Sequence, residues 1–272
     1  AITAAGVAKL AVESETLPHA SFLRLSANLE QSKLVPVGDQ IDRLRWVKTP
    51  HEIAWQRHAI EITDRAYEQI RMLLKPGVRE RDIANAIAIS FLAQRAEGWG
   101  FPPTVAFGPN SAKPHHEPGE RQLAEGDAII IDIGATVNGY TADLTRTNWV
   151  GEPPAQLVEI YTIVQAAQDA ALALVRAGVP AREIDAAARN VIAEAGYSER
   201  FVHGLGHGIG VRIHDGPFMH SRNNDPLPAN SILTIEPGIY IRDFGGVRIE
   251  DVVLVTDEGF ELLSHAPKQP QL

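Results

Sequence analysis

Residues 128–150 read AIIIDIGATVNGYTADLTRTNWV. Within this stretch Asn138-Gly139 predicts a two-residue type I′ turn between an apolar strand and an alternating strand, because both residues tolerate positive φ. With this pair at the centre of the turn, Asp132 faces Thr145, and Asp143 is its diagonal neighbour on the same face. A hairpin in this register directs both carboxylates to one point. Taken alone, an Asp pair at this spacing is more often a strand end and a solvated turn residue.

An internal repeat strengthens the case for convergence. The segment LLKPGVRERDI at residues 73–83 recurs as LVRAGVPAREI at residues 174–184. Further along, two acid-bearing segments also recur: IDIG (131–134) as IEPG (235–238), and GYTAD (139–143) as GVRIE (246–250). The two halves therefore share one plan, in which two helices separated by a Gly-Val turn precede a strand pair with two acids. Repeated units pack together to bury their shared apolar face. The alternative is that generic helix-turn-helix patterning produces these identities by chance.

The repeat superposes Asp132 on Glu236 and Asp143 on Glu250. Packing of the halves about a pseudo-twofold axis would bring the two acid pairs together. His207 lies in the glycine-rich segment HGLGHGIG at residues 203–210, where glycines permit close backbone approach to a ligand. Four carboxylates and an imidazole suit hard or borderline divalent metals. Such carboxylates repel one another without cations between them, so we expect two divalent ions per chain.

The remaining elements follow from helix and strand signals. Thr49-Pro50-His51-Glu52 is a helix start with a capping box. Helices are predicted from there to Pro76-Gly77 and over residues 80–96, 154–177 and 180–195, and strands over residues 34–37, 104–107, 231–235 and 247–256. This order predicts an α+β fold with helices packed on antiparallel strands.

Composition excludes several classes of protein. The chain has 272 residues, a net charge of −9, 44% hydrophobic residues and no cysteine. It is long enough for a sizeable core, and the absence of cysteine excludes disulfides and thiolate metal sites. No basic patch indicates a nucleic-acid partner, and no apolar run is long enough to span a membrane. The chain does not open on a secretory signal, and we expect a cytoplasmic protein.

Several motifs together resemble the metallopeptidases of the pita-bread fold, which include methionine aminopeptidase, aminopeptidase P, Xaa-Pro dipeptidase (prolidase) and creatinase. The motifs are IDIG (131–134), TADLTRT (141–147), HGLGHGIG (203–210), IEPGIY (235–240) and GVRIED (246–251). The resemblance covers residues 40–262. It implies two pseudo-twofold-related α/β halves around a curved antiparallel sheet.

The resemblance also implies roles for the candidate ligands. Asp132 would chelate one ion, Asp143 and Glu250 would bridge both, and His207 and Glu236 would hold the other. Glu236 would in addition carry a proton from the bridging water to the leaving amine. Manganese is the expected metal, with cobalt or zinc as alternatives.

GVRIED and the Pro114-His115 pair resemble the prolidase and aminopeptidase P branch. That resemblance implies an enzyme that hydrolyses Xaa-Pro bonds of dipeptides by a metal-bridging hydroxide, and that forms a homodimer. Two alternatives stay open: an aminopeptidase P that acts on longer Xaa-Pro peptides, and an inert pita-bread module that binds a peptide or protein.

By the same resemblance, further residues line the substrate site. His203, His214 and Arg248 would contact the substrate, His115 would stabilise the tetrahedral intermediate, and Tyr240 would close the proline pocket.

Residues 1–45 resemble the end of the larger N-terminal domain that precedes the catalytic domain in this branch. We expect them to be the tail of a truncated or reduced domain, with residues 46–272 as the pita-bread catalytic domain. Their strand Leu34–Val37 is expected to lack a partner. Without the rest of that domain, the chain should discriminate less between dipeptides and longer peptides.

Overall fold

The structure, a computed structural model, describes residues 6–29 and 32–272. The chain divides into two compact units, Ala1–Arg45 and Trp46–Leu272. Among the described residues, no helix combines the length and the apolar composition needed to cross a bilayer.

In the first unit, strand β1 (Lys9–Glu13) and strand β2 (Lys33–Val37) pair in parallel, and helix α1 (His19–Asn28) connects them along the chain. Helix α2 (Gln40–Trp46) follows. The predicted strand at Leu34–Val37 is confirmed, but the prediction that it lacks a partner is wrong, because β1 bonds to it along its full length. The partner was missed because β1 has no clear alternation of apolar and polar residues.

The second unit begins with helices α3 (Pro50–Arg71) and α4 (Glu80–Ala93). Thr49 caps α3 through the predicted capping box with Glu52. Strands β3 (Gly98–Trp99), β4 (Thr104–Phe107), β5 (Ala128–Ile133), β6 (Ala135–Val137), β7 (Tyr140–Thr141) and β8 (Leu144–Trp149) follow.

The same order returns in the second half. Helices α5 (Ala155–Leu172) and α6 (Ala181–Glu194) precede seven strands. These are β9 (Gly206–Gly208), β10 (Asp215–Met219), β11 (Ile232–Ile235), β12 (Gly238–Ile241), β13 (Gly245–Arg248), β14 (Asp251–Val255) and β15 (Phe260–Leu262).

All strand pairs within residues 46–272 are antiparallel. One sheet has the order β10-β9-β11-β14-β15, another has the order β4-β5-β8, and shorter groups join β3-β6-β7 and β12-β13. The α+β prediction is therefore confirmed.

Each half has its own core. In the first half, α3 and α4 pack their apolar faces on β5, with Ile60, Tyr67 and Phe91 fully buried. In the second half, α5 and α6 bury Ile160 and Ile184 against strands β11 and β14. Burial of these faces fixes the strands from behind and leaves their ends free to carry polar side chains.

Candidate active site

One cavity, of about 570 Å³, collects most of the side chains that the sequence indicated. Its lining residues include Asp132, Asp143, His115, His203, His207, His214, Glu236, Arg248 and Glu250. Tyr240, which we expected to contact the substrate, does not line the cavity and is buried behind its wall. The two halves of the repeat thus contribute to one site.

The hairpin positions the first acid pair as the sequence predicted. Asn138 and Gly139 have φ values of 49° and 78°, as a type I′ turn requires. Asp132 pairs with Thr145 across β5 and β8. Asp143 lies in the two-residue gap between β7 and β8, where the chain crosses from one group of strands to the other.

Thr145 also ties the first half to the second acid pair. Its Oγ1 donates to Oε2 of Glu250 over 2.8 Å, and its carbonyl accepts from the Glu250 N–H over 3.1 Å. Glu250 lies between β13 and β14, and Glu236 directly follows β11. Ligand atoms of Asp132, Asp143 and Glu250 all lie within 4.8 Å of one another.

His207 and Glu236 complete the cluster. Nε2 of His207 lies 3.3 Å from Oε1 of Glu236 and 3.7 Å from Oδ2 of Asp143. Nδ1 of His207 must donate to the Gly208 carbonyl, 3.0 Å away, because a carbonyl can only accept. Nε2 therefore faces two carboxylates and carries either a proton or a lone pair directed at a cation.

The negative charges of the clustered carboxylates indicate that a cation binds among them. Burial, followed by the neighbouring Glu250, raises the pKa of Asp143 well above its ordinary value. Burial and then Glu236 have the same effect on the pKa of Glu250. Burial alone would also raise the pKa of Glu236, but the contact with His207 outweighs it and lowers the pKa to about 2. The described residues alone do not supply enough positive charge to keep all the carboxylates ionised.

Two buried oxygens point to the same conclusion. Oδ1 of Asp132 and Oε1 of Glu250 have no hydrogen-bond partner within the part of the chain that the structure describes. Buried polar atoms normally have a hydrogen-bond partner, so these two unpaired oxygens indicate a position where a cation can bind. Oxygen donors with one imidazole nitrogen fit divalent cations of the hard and borderline kind.

Arg248 connects the cluster to the substrate side. It is buried, and its Nη2 donates to Oδ2 of Asp132 over 2.5 Å, while its Nε donates to Oγ1 of Thr145 over 2.9 Å. Its Nη1 donates to the Tyr240 hydroxyl over 2.8 Å. With the Pro114 carbonyl, which also accepts from Nη1, the guanidinium has four hydrogen-bond partners, one of them a candidate ligand.

Tyr240, which accepts from Arg248, also hydrogen-bonds to His203. The hydroxyl lies 2.9 Å from Nε2 of His203, whose Nδ1 donates to the Gly204 carbonyl over 2.7 Å. Burial lowers the pKa of His203, so the ring is neutral at pH 7 and Nε2 accepts from the hydroxyl. Tyr240 thus orients His203 from behind the wall.

The two remaining histidines lie on the open side. The His214 ring is 4.5 Å from the His207 ring, and partial burial and then His207 lower its pKa. His115 is exposed on the loop that follows β4, next to Pro114, whose carbonyl accepts from Arg248 over 3.3 Å.

The comparison with known families agrees with this arrangement. The model of metallopeptidase family M24 matches residues 54–257. The chain belongs to this family. An uncharacterized peptidase of Bacillus subtilis is 36% identical over 97% of the chain and 75% of its own length.

Solved structures of M24-like enzymes superpose closely on the chain. An Xaa-Pro dipeptidase from Bacillus anthracis is 39% identical with a TM-score of 0.95, covering 100% of this chain and 76% of its own. An X-Pro aminopeptidase from Thermotoga maritima is 37% identical with a TM-score of 0.91, and the match covers 100% of this chain and 77% of the aminopeptidase. The pita-bread fold that the motifs implied is therefore confirmed, and membership of a metallopeptidase family implies divalent metal ions.

Sequence reasoning missed the residues that hold the histidine loops of this M24 enzyme. Glu80 is fully buried and binds the loop of His115, including Nε2 of His116 at 2.9 Å. Asp185 is also fully buried and pairs with Arg189. Acids are common near the N-terminus of a helix, so neither residue stood out from its neighbours in the sequence.

Proposed function

We propose that this chain is a metal-dependent exopeptidase that hydrolyses the Xaa-Pro peptide bond, with dipeptides as its main substrates. The observation that carries the proposal is the convergence, in one cavity, of the four candidate carboxylate ligands and His207 with the predicted substrate-site histidines His115, His203 and His214. The similar Xaa-Pro dipeptidase from Bacillus anthracis supports the same reaction. Residues 46–272, which contain every cavity residue, are proposed as the catalytic domain.

We assign two metal ions to the cluster. Asp132 would hold one ion, His207 and Glu236 the other, and Asp143 and Glu250 would bind both. Manganese is the proposed metal, because oxygen donors dominate the set. When bound, the ions would activate a water molecule and polarise the peptide carbonyl.

Glu236 is proposed to move the proton that the reaction requires. A peptide bond before proline has no N–H, so the leaving nitrogen must gain a proton when the bond breaks. Glu236 lines the cavity beside His207, where its carboxylate could accept a proton from water. Its carboxylate would then deliver that proton to the proline nitrogen.

Three histidines would act on the substrate. His115, on the open side of the cavity, would donate to the carbonyl oxygen as negative charge develops there. His203 and His214 are neutral at pH 7 because burial lowers the pKa of each. His214 can therefore hydrogen-bond to a peptide without placing a second cation beside the metals, whereas His203 would do so by exchanging its bond with Tyr240.

The cavity also has an apolar wall suited to a proline ring. Phe101, Pro102, Pro103, Ile213 and Phe218 line it beside the polar cluster. A pyrrolidine ring has no N–H and packs on such surfaces without leaving a donor unpaired. This wall supports a preference for proline over polar residues after the scissile bond.

The direct test supplies the protein with Mn²⁺ and measures release of proline from Ala-Pro, of Pro-Ala from Ala-Pro-Ala, and of alanine from Ala-Ala. We expect turnover of Ala-Pro above both other substrates, and none with Glu236→Gln. Equal turnover of Ala-Ala and Ala-Pro would contradict the proline specificity, and absence of hydrolysis of all three would contradict the enzyme assignment.

One observation favours aminopeptidase activity on longer peptides as a second candidate. Arg248 is already bonded to Asp132, Thr145, Tyr240 and the Pro114 carbonyl, which engages four of its five N–H donors and leaves one for the carboxylate of a dipeptide. The X-Pro aminopeptidase from Thermotoga maritima matches the chain nearly as well as the dipeptidase. Faster cleavage of Ala-Pro-Ala than of Ala-Pro would favour this candidate.

The alternative of an inert binding module is tested by the same hydrolysis assay. All five candidate ligands are present, which supports catalysis over a binding role alone.

A homodimer is the proposed assembly, and light scattering of the purified protein measures it directly.

A further inference from the structure

Glu80 is a buried acid for which the proposed reaction has no use. It is the first residue of α4, its side chain is fully buried, and it does not line the cavity. Its carboxylate accepts four hydrogen bonds of 2.9 Å each. Oε1 receives the Phe107 N–H and the Asn110 amide, and Oε2 receives the Gly119 N–H and Nε2 of His116. These bonds use the full acceptor capacity of a carboxylate.

The four donors bracket the loop that carries His115. Phe107 and Asn110 precede this residue in the chain, and His116 and Gly119 follow it. The loop therefore closes around the carboxylate at both of its ends.

Strand β13 holds the same loop from the opposite side. Oγ of Ser111 accepts from the Gly246 N–H over 2.8 Å, and the Pro114 carbonyl accepts from Arg248 over 3.3 Å. The conformation of His115 is thus set between the helix and the strand.

A carboxylate suits this position better than an amide. Burial alone would raise the pKa of Glu80, but the bonds from Asn110 and His116 and from two backbone N–H groups outweigh it and lower the pKa. A glutamine has one oxygen and one NH₂ group. Its NH₂ group would therefore face two of the four donors that the carboxylate now binds, and would have nothing to accept from them. The N-terminus of α4 further favours a negative charge there.

The second half holds its own histidine loop in a comparable way. Asp185 on α6 accepts from the Leu205 N–H over 3.1 Å and pairs with Arg189. Arg189 in turn donates to the carbonyls of Phe201 over 3.1 Å and His203 over 2.9 Å. In both halves a buried acid on the second helix binds the segment that carries a cavity histidine.

We propose that Glu80 is a positioning residue for His115, holding the loop between residues 107 and 119 in the conformation that places this histidine at the cavity. The proposal rests on the proposed function, because it assigns His115 a part in peptide hydrolysis. Glu80 does not itself line the cavity, and it reaches the site through its bonds to the loop, including the one to His116.

The test is Glu80→Gln, with Glu120→Gln as the matched control. Glu120 is exposed and pairs with Arg79 and Arg81 on the surface. Loss of bonds to a buried charge is expected to speed amide hydrogen exchange within residues 107–119 by about tenfold or more. Exchange in α3 and β5, and the bound Mn²⁺ per chain, should stay at the wild-type values. Glu120→Gln should change none of these.

A double-mutant cycle in the Mn²⁺-loaded enzyme then separates positioning from general stability. Glu80→Gln should lower kcat on Ala-Pro by about tenfold with a smaller change in KM, because a transition-state contact is lost. In a His115→Ala background, the same substitution should change kcat less than about twofold, since residues that act as one unit are not additive. An equal loss of kcat in both backgrounds would overturn the proposal.

His116→Ala gives a second route if Glu80→Gln does not fold. It removes one donor to Oε2 and leaves the carboxylate in place. Amide exchange in the loop should therefore speed up and kcat should fall, each by a smaller factor than in Glu80→Gln. Unchanged exchange in the loop would overturn the proposal. If the wild type hydrolyses no Xaa-Pro peptide, the proposed function fails, whereas the exchange measurement still decides whether Glu80 fixes the loop.

Discussion

Arg248 and His214 lie on the same cavity yet depend on the cluster in different ways. Arg248 donates to Asp132, so it neutralises and orients a candidate ligand as well as facing the substrate side. His214 instead lies with its ring 4.5 Å from the ring of His207. The sequence grouped both as substrate-binding residues, because nothing in a motif shows which donors of an arginine are already engaged.

The two residues should therefore respond differently to truncation. His214→Ala is expected to lower kcat/KM on Ala-Pro by about tenfold, the loss of one hydrogen bond, with bound Mn²⁺ unchanged. Arg248→Ala should lower both kcat/KM and bound Mn²⁺, because residues that orient metal ligands typically account for about 10–100-fold in affinity. Metal analysis of both variants decides this. Full metal content in Arg248→Ala would show that Asp132 does not need its partner.

Glu80 should make its contribution to stability pH-dependent. Its pKa in the folded protein lies below its ordinary value of 4.5. The ionised carboxylate therefore stabilises the fold fully above pH 4.5, and this contribution is lost as the pH falls through the lower folded value. We expect the difference in unfolding free energy between wild type and Glu80→Gln to shrink below pH 4.5. Urea unfolding at several pH values measures it, and a constant difference would contradict the assignment.

At the scale of elements, the hairpin was predictable and several other features were not. Asn138-Gly139 fixes the register of β5 and β8, because a two-residue turn and a buried face permit one pairing. Helix α3 instead ends at Arg71, before the predicted stop at Pro76. The reason is that proline disfavours helical backbone at the preceding residue, and the bonds of Leu73 and Leu74 already reach back only three residues.

The hairpin also depends on close backbone contact at Gly134. A Cβ added there would lie 1.8 Å from the Ala142 carbonyl oxygen, next to Asp143. Gly134→Ala should push the strands apart and displace Asp143, lowering kcat/KM by about 100-fold or more, since small misplacements of catalytic groups are costly. Gly259→Ala is the control, because its added Cβ meets nothing within 4 Å and its φ lies outside the left-handed region. Wild-type activity and metal content in Gly134→Ala would contradict this prediction.

At the scale of the whole catalytic unit, the repeat predicted that the halves meet at the acids but not what joins them. Arg146, buried on β8, pairs with Asp251 over 2.9 Å and donates to the Glu250 carbonyl and the Ala266 carbonyl. It thus links the first half to the second half and to the C-terminal segment. The sequence marked Arg146 only as part of a motif, because burial of a charge depends on partners distant in the chain.

Removing this link should destabilise the protein more than removing a surface ion pair. Arg146→Met leaves Asp251 buried with Lys268 and the Ser264 hydroxyl as partners, and we expect a loss of about 3 kcal/mol in unfolding free energy. Arg57→Met breaks the exposed pair with Glu261 and should cost less than about 1 kcal/mol. Denaturant unfolding compares them, and equal losses would contradict a joining role for Arg146.

The measurement that bears most directly on a two-metal Xaa-Pro peptidase is a Mn²⁺ titration of metal-depleted protein, with proline release from Ala-Pro and bound metal followed together. We expect no turnover before metal is added, and a rise in turnover that levels off when about two ions per chain are bound. Asp143→Asn should bind fewer ions and stay inactive throughout. Full activity after exhaustive chelation, or saturation with Mn²⁺ and no hydrolysis of any Xaa-Pro peptide, would contradict the account.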